Sequence, residues 1–424
     1  MDCTFSPVTD FPKLEAAVSD FYGAAAAPAQ LVRFRALLDG LTETFGPQER
    51  AAIFSAPGRT EIGGNHTDHQ HGRVLAGSVN LDVIAAVVPN GRNVIRIQSE
   101  GFPMDVVELD DLAVREEEKN TSQAIIRGIA AWFRDQGCAL EGFDAYTTSN
   151  VLKGSGLSSS AAFEVLVGNI INSLFFEGRC TPVQLAQIGQ YAENVYFGKP
   201  SGLLDQMGCS VGGMVTIDFR DNANPVVEKI DFDFASTGHA LCIIDSGADH
   251  ADLTPEYAAV PGELKEICAH FGKDVLREVP EEDFYAALPA LRRKAGDRAV
   301  LRAIHIYGDN ARVEGQVGAL RRGDFDAFLM HVTDSGLSSW RYLQNVVPAG
   351  YTHHQEVAVA LAMAERLLDT RGACRVHGGG FAGTIQAFVP LDMLDRFKAE
   401  MDRCLGDGAC HVLTIRPVGG VRLV

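Results

Sequence analysis

Val151-Leu152-Lys153-Gly154-Ser155-Gly156-Leu157-Ser158-Ser159-Ser160-Ala161-Ala162 runs from a strand into small residues and then, within the serines, into a helix. Small residues let backbone amides approach an anion closely, and the positive end of a helix favours negative charge there. Serine hydroxyls add donors, or an oxygen ligand for a cation such as Mg²⁺. The lysine precedes the glycines, so the segment is not a Walker A loop, and Ser159 stands where a dinucleotide fingerprint needs its third glycine. Two readings stay open on the local pattern: a phosphate cradle, or a tight turn into a serine-capped helix.

Upstream lies Ala56-Pro57-Gly58-Arg59-Thr60-Glu61-Ile62-Gly63-Gly64-Asn65-His66-Thr67-Asp68-His69-Gln70-His71-Gly72. So many hydrogen-bonding side chains between two strands suit a polar small molecule such as a sugar. His66, Asp68, His69 and His71 are also metal-ligand types, but their spacing matches no zincin helix and the glycines would hold ligands poorly. A merely exposed polar loop is the bland alternative. Downstream, Val376-His377-Gly378-Gly379-Gly380-Phe381-Ala382-Gly383 formally satisfies GxGxxG. Too little chain follows for a Rossmann domain, which favours a glycine loop against a ligand or another backbone.

Around these clusters the pattern alternates between strand and helix. Helical spacing is expected for Phe34–Phe45, strands for Ala51–Ala56 and Val79–Val88, and a loop for 58–73. Asn93–Gln98 alternates like a hairpin partner across the Pro89-Asn90-Gly91 turn. A helix over 121–137, a strand over Phe143–Leu152, a long buried helix over Ser158–Phe176 and a mostly helical stretch from about 255 to 370 complete the outline. Strands and helices mix in both halves, so a two-domain α+β or α/β chain is expected, with a soft boundary near 220. Residues 1–28 read as an arm or surface helix.

The chain has 424 residues, 46% hydrophobic and 22% charged, the balance of an ordinary globular protein. A formal charge of −18 excludes the basic footprint of a nucleic-acid binder and disfavours an anionic membrane surface. The amino terminus lacks the apolar core of a signal peptide, and Val83–Val88 is far too short to span a bilayer. Nine scattered cysteines without a CxxC pair fit a reduced, cytoplasmic protein.

In order and spacing the three clusters resemble the motifs of the GHMP small-molecule kinases, most closely the galactokinase family among them. Ala56-Pro57-Gly58-Arg59 leads to Gly64-Asn65-His66-Thr67-Asp68-His69 as an APGR turn leads to a GEHTDY-type sugar loop. Gly154–Ala161 resembles the GxGLSSSA phosphate loop, and Gly378–Gly383 the GGGFGG motif with one alanine. Glu193, followed by Gly198-Lys199-Pro200-Ser201-Gly202-Leu203-Leu204-Asp205-Gln206, is similar to the segment holding a magnesium-binding glutamate and a catalytic aspartate. Weaker similarity continues through Ser246, Glu256-Tyr257 and Leu320–Phe325.

The resemblance implies an α+β, two-domain GHMP-kinase-like fold, with an N-terminal ribosomal-S5-like domain (1–220) and a C-terminal α/β sandwich (221–424). The active site would lie in the interdomain cleft. It implies a cytoplasmic ATP- and Mg²⁺-dependent sugar-1-kinase with galactose as the favoured substrate. A related kinase for arabinose, N-acetylgalactosamine or a uronic acid is the nearest alternative, and a non-catalytic sugar sensor the alternative of another class. A metal hydrolase built on His66, His69 and His71 is a distant third. Carried over, Asp205 would be the base and Arg59 the charge stabiliser. Asn65, His66, Asp68, the Gly202 backbone and Tyr257 would bind sugar. Gly154, Ser155, Gly156, Leu157, Ser158, Ser159 and Ser160 would bind the nucleotide, and Ser160 with Glu193 would hold Mg²⁺. Neither nucleic acid nor membrane is implied as a partner. Two residues depart from the family pattern. Asn65 replaces a glutamate that contacts the O6 side of the sugar, and His377 replaces a threonine beside the phosphates.

Overall fold

The computed structural model describes residues 6–7, 11–23, 26–152, 156–248 and 253–424. Its larger sheet takes β1 (Ser6–Pro7), β2 (Arg50–Gly63), β3 (Arg73–Pro89), β4 (Val94–Ser99), β5 (Asp105–Glu108), β6 (Phe143–Ser149), β7 (Met214–Asp218) and β8 (Val226–Ile230). A second sheet takes β9 (His239–Ala248), β10 (Ala373–Val376), β11 (Gly383–Pro390) and β12 (Cys410–Leu413) in the order β10-β11-β9-β12. The chain then returns to the first sheet through β13 (Val421–Arg422), which pairs with β2. Residue 220 lies between β7 and β8, two paired strands of one sheet.

β2 is buried at every position after Arg50 instead of alternating. The cause is cover on both faces. On one side, helix α2 (Ala27–Phe45) packs Phe34, Leu37, Leu38 and Leu41 against Ile53, Ile84, Ala86 and Val88. On the other, α3 (Ser122–Asp135) and α4 (Ser159–Phe175) share a core with Phe54, Val83 and Val87. The preceding α1 (Phe11–Tyr22) brings the Tyr22 hydroxyl to the fully buried Asp82 of β3, which also pairs with Arg33 at 2.9 Å and Arg416 at 3.0 Å.

Two expectations are corrected. Pro57-Gly58 does not end the strand: β2 continues to Gly63, pairing Arg59 with Ser78, Thr60 with Gly77 and Glu61 with Ala76 across irregularities in register. A proline without an N–H fits such a bulge, and the polar residues beyond it look loop-like because what they face is the second sheet's polar edge. Asn93–Gln98 does not pair with β3 either. β6 occupies that slot, and β4 lies parallel to β6. Alternation marks a half-buried strand without naming its neighbour.

Behind α4 come α5 (Pro182–Tyr191), a π-helical segment Ala192–Phe197, and α6 (Leu204–Val211). The helical stretch after β9 comprises α7 (Thr254–His270), α8 (Glu281–Ala286), α9 (Leu288–Lys294), α10 (Asp297–Arg321), α11 (Phe325–Ser338) and α12 (Glu356–Leu368), and α13 (Leu394–Leu405) precedes β12. Among the described residues, no helix is long and apolar enough to cross a membrane.

Candidate active site

The end of β2 is clamped against the second sheet, and this clamp positions the site. Arg375 of β10 donates to the Ile62 carbonyl over 2.9 Å, and Gln386 of β11 donates to the Glu61 carbonyl over 3.1 Å. With the strand held, the backbone N–H of Arg59 donates to the Leu157 carbonyl over 2.9 Å, and its Nη1 donates to the Gly156 carbonyl. Arg59 thus joins the APGR strand to the serine-rich loop.

The same guanidinium holds Asp205 in the first turn of α6. Arg59 Nε donates to Asp205 Oδ1 over 3.0 Å, Nη2 reaches the same oxygen, and Ser158 Oγ donates to Oδ2 over 2.7 Å. The Arg59 side chain is 7% exposed while that of Asp205 is 40% exposed. The cation is therefore a buried brace, and the carboxylate faces the cleft. Burial works to raise the Asp205 pKa, but the charge and hydrogen bonds of Arg59, with Ser158, outweigh it and hold the group below its ordinary value.

Ser158 does not cap α4. It sits in the left-handed region (φ 58) without a side-chain cap bond, its hydroxyl spent on Asp205. The serine-capped reading is thereby corrected: the Ser158 hydroxyl leaves the first-turn amides of α4 uncapped. Gly156, Leu157, Ser159 and Ser160 line this turn, whereas Gly154 and Ser155 lie outside the described residues. His66 and Phe381 in the two neighbouring loops are also left-handed non-glycines (φ 62 and 59).

Across the cleft, Asp68 Oδ2 lies so close to the Gly202 Cα that a Cβ there would collide with it. His66 Nε2 donates to the Gly379 carbonyl over 2.9 Å. Burial, with His69 nearby, brings the His66 pKa down to about 4, leaving a neutral ring with Nδ1 as its remaining acceptor. Tyr257 donates its hydroxyl hydrogen to the Gly380 carbonyl over 2.7 Å, and its ring fills the space beside Gly379. Gly379 is thus required by the close approach of Tyr257 and Gly380 by that of Asn345, while Gly378 holds a left-handed backbone (φ 65).

Two residues sit differently from expectation. Asn65 is fully buried, with its side-chain amide bonded to Glu61, Gly378, Ser339 and Asn345, so it presents nothing to the cleft. His377 is 2% exposed and packs between the sheets, with Nε2 accepting from the Glu61 N–H and bonding Thr60, and Nδ1 against Thr384. It lies beneath Gly156 and supports the loop from below.

Glu193 is buried on the π-helical segment, accepting from Lys199 Nζ at 2.9 Å and from Gln206 Nε2 at 2.9 Å. Gln206 Nε2 also donates to Glu164 Oε2 over 2.9 Å, bridging two carboxylates. Among the described residues Glu164 Oε1 is buried without a partner, and burial, followed by Glu193, raises the Glu164 pKa well above its ordinary value. An orphaned buried acceptor in an all-oxygen set is what a bound Mg²⁺ would relieve, so the residues fit this ion. Glu193, Glu164 and the exposed Ser160 line one cavity of about 390 Å³, whose other wall includes Val83, Phe102, Thr147 and Phe163. Glu164 and this cavity were missed in the sequence. The available signal was an acidic residue inside the apolar run of α4, one turn after Ser160.

The chain matches the family models of the GHMP kinases N terminal domain over residues 124–213 and the galactokinase galactose-binding signature over 41–89. Fold and sequence signatures together define a GHMP-type small-molecule kinase. The galactokinase of Streptomyces coelicolor is 32% identical over 88% of this chain and 94% of its own, and that of Glaesserella parasuis 28% over 84% and 89%. The chain belongs to the galactokinase family. Its fold matches the Lactococcus lactis galactokinase complexed with galactose (TM-score 0.76, 23% identity, 91% of this chain and 99% of that one). It also matches the Methanococcus jannaschii mevalonate kinase (TM-score 0.59, 12% identity, 87% and 99%).

Proposed function

We propose that this chain transfers the γ-phosphoryl group of ATP to the anomeric hydroxyl of galactose, with Asp205 as proton acceptor and Arg59 as charge stabiliser. The observation that carries the reading is the Arg59–Asp205 pair, placed where the sugar loop, the serine-rich loop and α6 converge. Kinship with galactokinases selects galactose among sugars.

Phosphoryl transfer needs positioning and charge neutralisation more than covalent work. Asp68, His66 Nδ1, the Gly202 backbone and the Tyr257 hydroxyl hold the sugar hydroxyls. Asp205, kept ionised by Arg59, turns its exposed carboxylate to the anomeric hydroxyl and takes its proton. Arg59 stays in place as the proton arrives, and its charge lies beside the developing phosphate negative charge. The uncapped α4 amides and the adjoining Gly156 cradle the phosphates, and the cavity behind Ser160 takes the adenosine end. Glu193, Ser160 and Glu164 would hold Mg²⁺, which neutralises phosphate oxygens when bound.

³¹P NMR of the chain with MgATP and separate hexoses, pentoses and uronic acids tests this. A new phosphomonoester signal with galactose is expected. Absence of a product from every sugar would overturn the reading, and a product from another sugar alone would replace galactose.

A further inference from the structure

Arg375 is a fully buried guanidinium on β10, and its ion pair is with Glu61. Its Nη2 donates to Glu61 Oε1 over 2.7 Å, while Nη1 and Nε go to the Ile62 and Val376 carbonyls. A buried guanidinium left without its carboxylate is strongly unfavourable, so one carboxylate is obligatory at this spot. Glu61 supplies it from β2, two residues beyond Arg59, and is itself only 7% exposed.

The same Glu61 Oε1 accepts from Asn65 Nδ2 over 2.9 Å. The second Nδ2 hydrogen goes to the Gly378 carbonyl over 2.6 Å, and Oδ1 accepts from Asn345 at 2.8 Å and Ser339 at 3.2 Å. All four hydrogen-bonding positions of the amide are thereby filled. The Asn65 backbone is pinned as well, its N–H donating to Asp309 over 2.8 Å and its carbonyl accepting from His305 over 3.0 Å. Asn65 is a fixed knot between the sugar loop, α10 and the glycine turn. A glutamate at 65, as in the family pattern, would here meet two acceptors, Glu61 Oε1 and the Gly378 carbonyl. The residue type tolerated at 65 therefore follows from the carboxylate at 61.

We infer that Glu61 is a positioning residue for sugar binding: braced by Arg375, its carboxylate orients the Asn65 amide and so sets the loop that carries His66 and Asp68. The charge that the family pattern places at 65 is carried in this chain at 61. This inference rests on the galactose-kinase reading above.

The test compares four full-length chains: wild type, Glu61→Gln, Asn65→Glu and the double variant. KM for galactose, KM for MgATP and kcat are measured separately, with thermal unfolding alongside. Loss of one charged hydrogen bond is worth roughly tenfold or more in affinity. Glu61→Gln is expected to raise the galactose KM about tenfold or more, with kcat and the MgATP KM within about threefold of wild type. In the double variant, at least about tenfold of the combined loss should return, because the carboxylate is restored beside the amide. A purely structural role would lower the unfolding temperature and leave the galactose KM where it was, and that result overturns the inference. So does strict multiplication of the two losses in the double variant. Should Asn65→Glu fail to fold, the KM split of Glu61→Gln decides alone. A wild type that phosphorylates no sugar overturns the functional reading and this inference with it. An active wild type with an unmoved galactose KM in Glu61→Gln overturns the inference alone.

Discussion

Arg59 Nε lies 3.0 Å from Asp205 Oδ1, joining a buried strand to the first turn of a helix 146 positions further along the chain. The arginine is covered and the aspartate open, so the pair directs one ionised carboxylate into the cleft and keeps its counter-charge in the wall. That asymmetry yields the first predictions.

Asp205→Asn removes the proton acceptor while keeping a hydrogen-bond acceptor for Arg59. A positioned acid–base group contributes about 10²–10⁴-fold. Turnover should fall by at least about 100-fold with galactose binding retained by calorimetry, and near-wild-type turnover would refute the assigned role.

The acid limb of kcat/KM should follow from the same geometry. Arg59 and Ser158 hold the Asp205 pKa below the ordinary carboxylate value against the opposing effect of burial. Activity should therefore show no ionisation assignable to Asp205 between about pH 5 and 8, with its protonation appearing below about pH 4. A limb near pH 6 that disappears in Asp205→Asn would contradict this.

Gly202→Ala probes the sugar side. The added Cβ collides with Asp68 Oδ2 and must push that carboxylate aside. A rise of roughly tenfold in galactose KM, with MgATP KM unchanged, is expected from one displaced charged hydrogen bond. Unchanged galactose KM would remove Asp68 from the pocket.

Glu193→Gln should raise the Mg²⁺ concentration for half-maximal activity by at least about tenfold, a loss seen even when outer partners of a metal site are removed. Chelation should abolish turnover and return of Mg²⁺ restore it. A wild-type Mg²⁺ titration in the variant would place the ion elsewhere.

Asp82→Asn tests a knot remote from the chemistry. Removing one partner of a buried ionic cluster costs about 3–5 kcal/mol, here by stranding Arg33 and Arg416. Denaturant unfolding should show that loss. Burial opposes ionisation of Asp82, yet Arg33 and Arg416 prevail and lower its pKa. Its contribution is therefore complete above the unfolded value near 3.9 and lost as pH falls through the lower folded value. Wild-type unfolding below about pH 4 should be steeper than that of Asp82→Asn.

Much of this molecule was legible in one dimension. Gly-rich turns, the apolar run of α4 and the APGR and serine-rich segments announce themselves because backbone conformation and helix termini demand local residue types. Arg59, Asp205, Asp68 and Glu193 could be chosen because the motifs around them match the galactokinase family's in type and order. What the chain could not announce is which polar residues are exposed. Thr60, Glu61 and Asn65 read as part of a sugar-binding loop and His377 as a phosphate contact, and the second sheet turns them into a buried lattice around Arg375. Glu164 and Gln206 likewise meet Glu193 only because α4, α6 and the π-helical turn pack together. Hydrogen-bonding capacity is written in residue type, but whether it is spent on water, ligand or protein depends on which distant element arrives, and that is decided by tertiary packing.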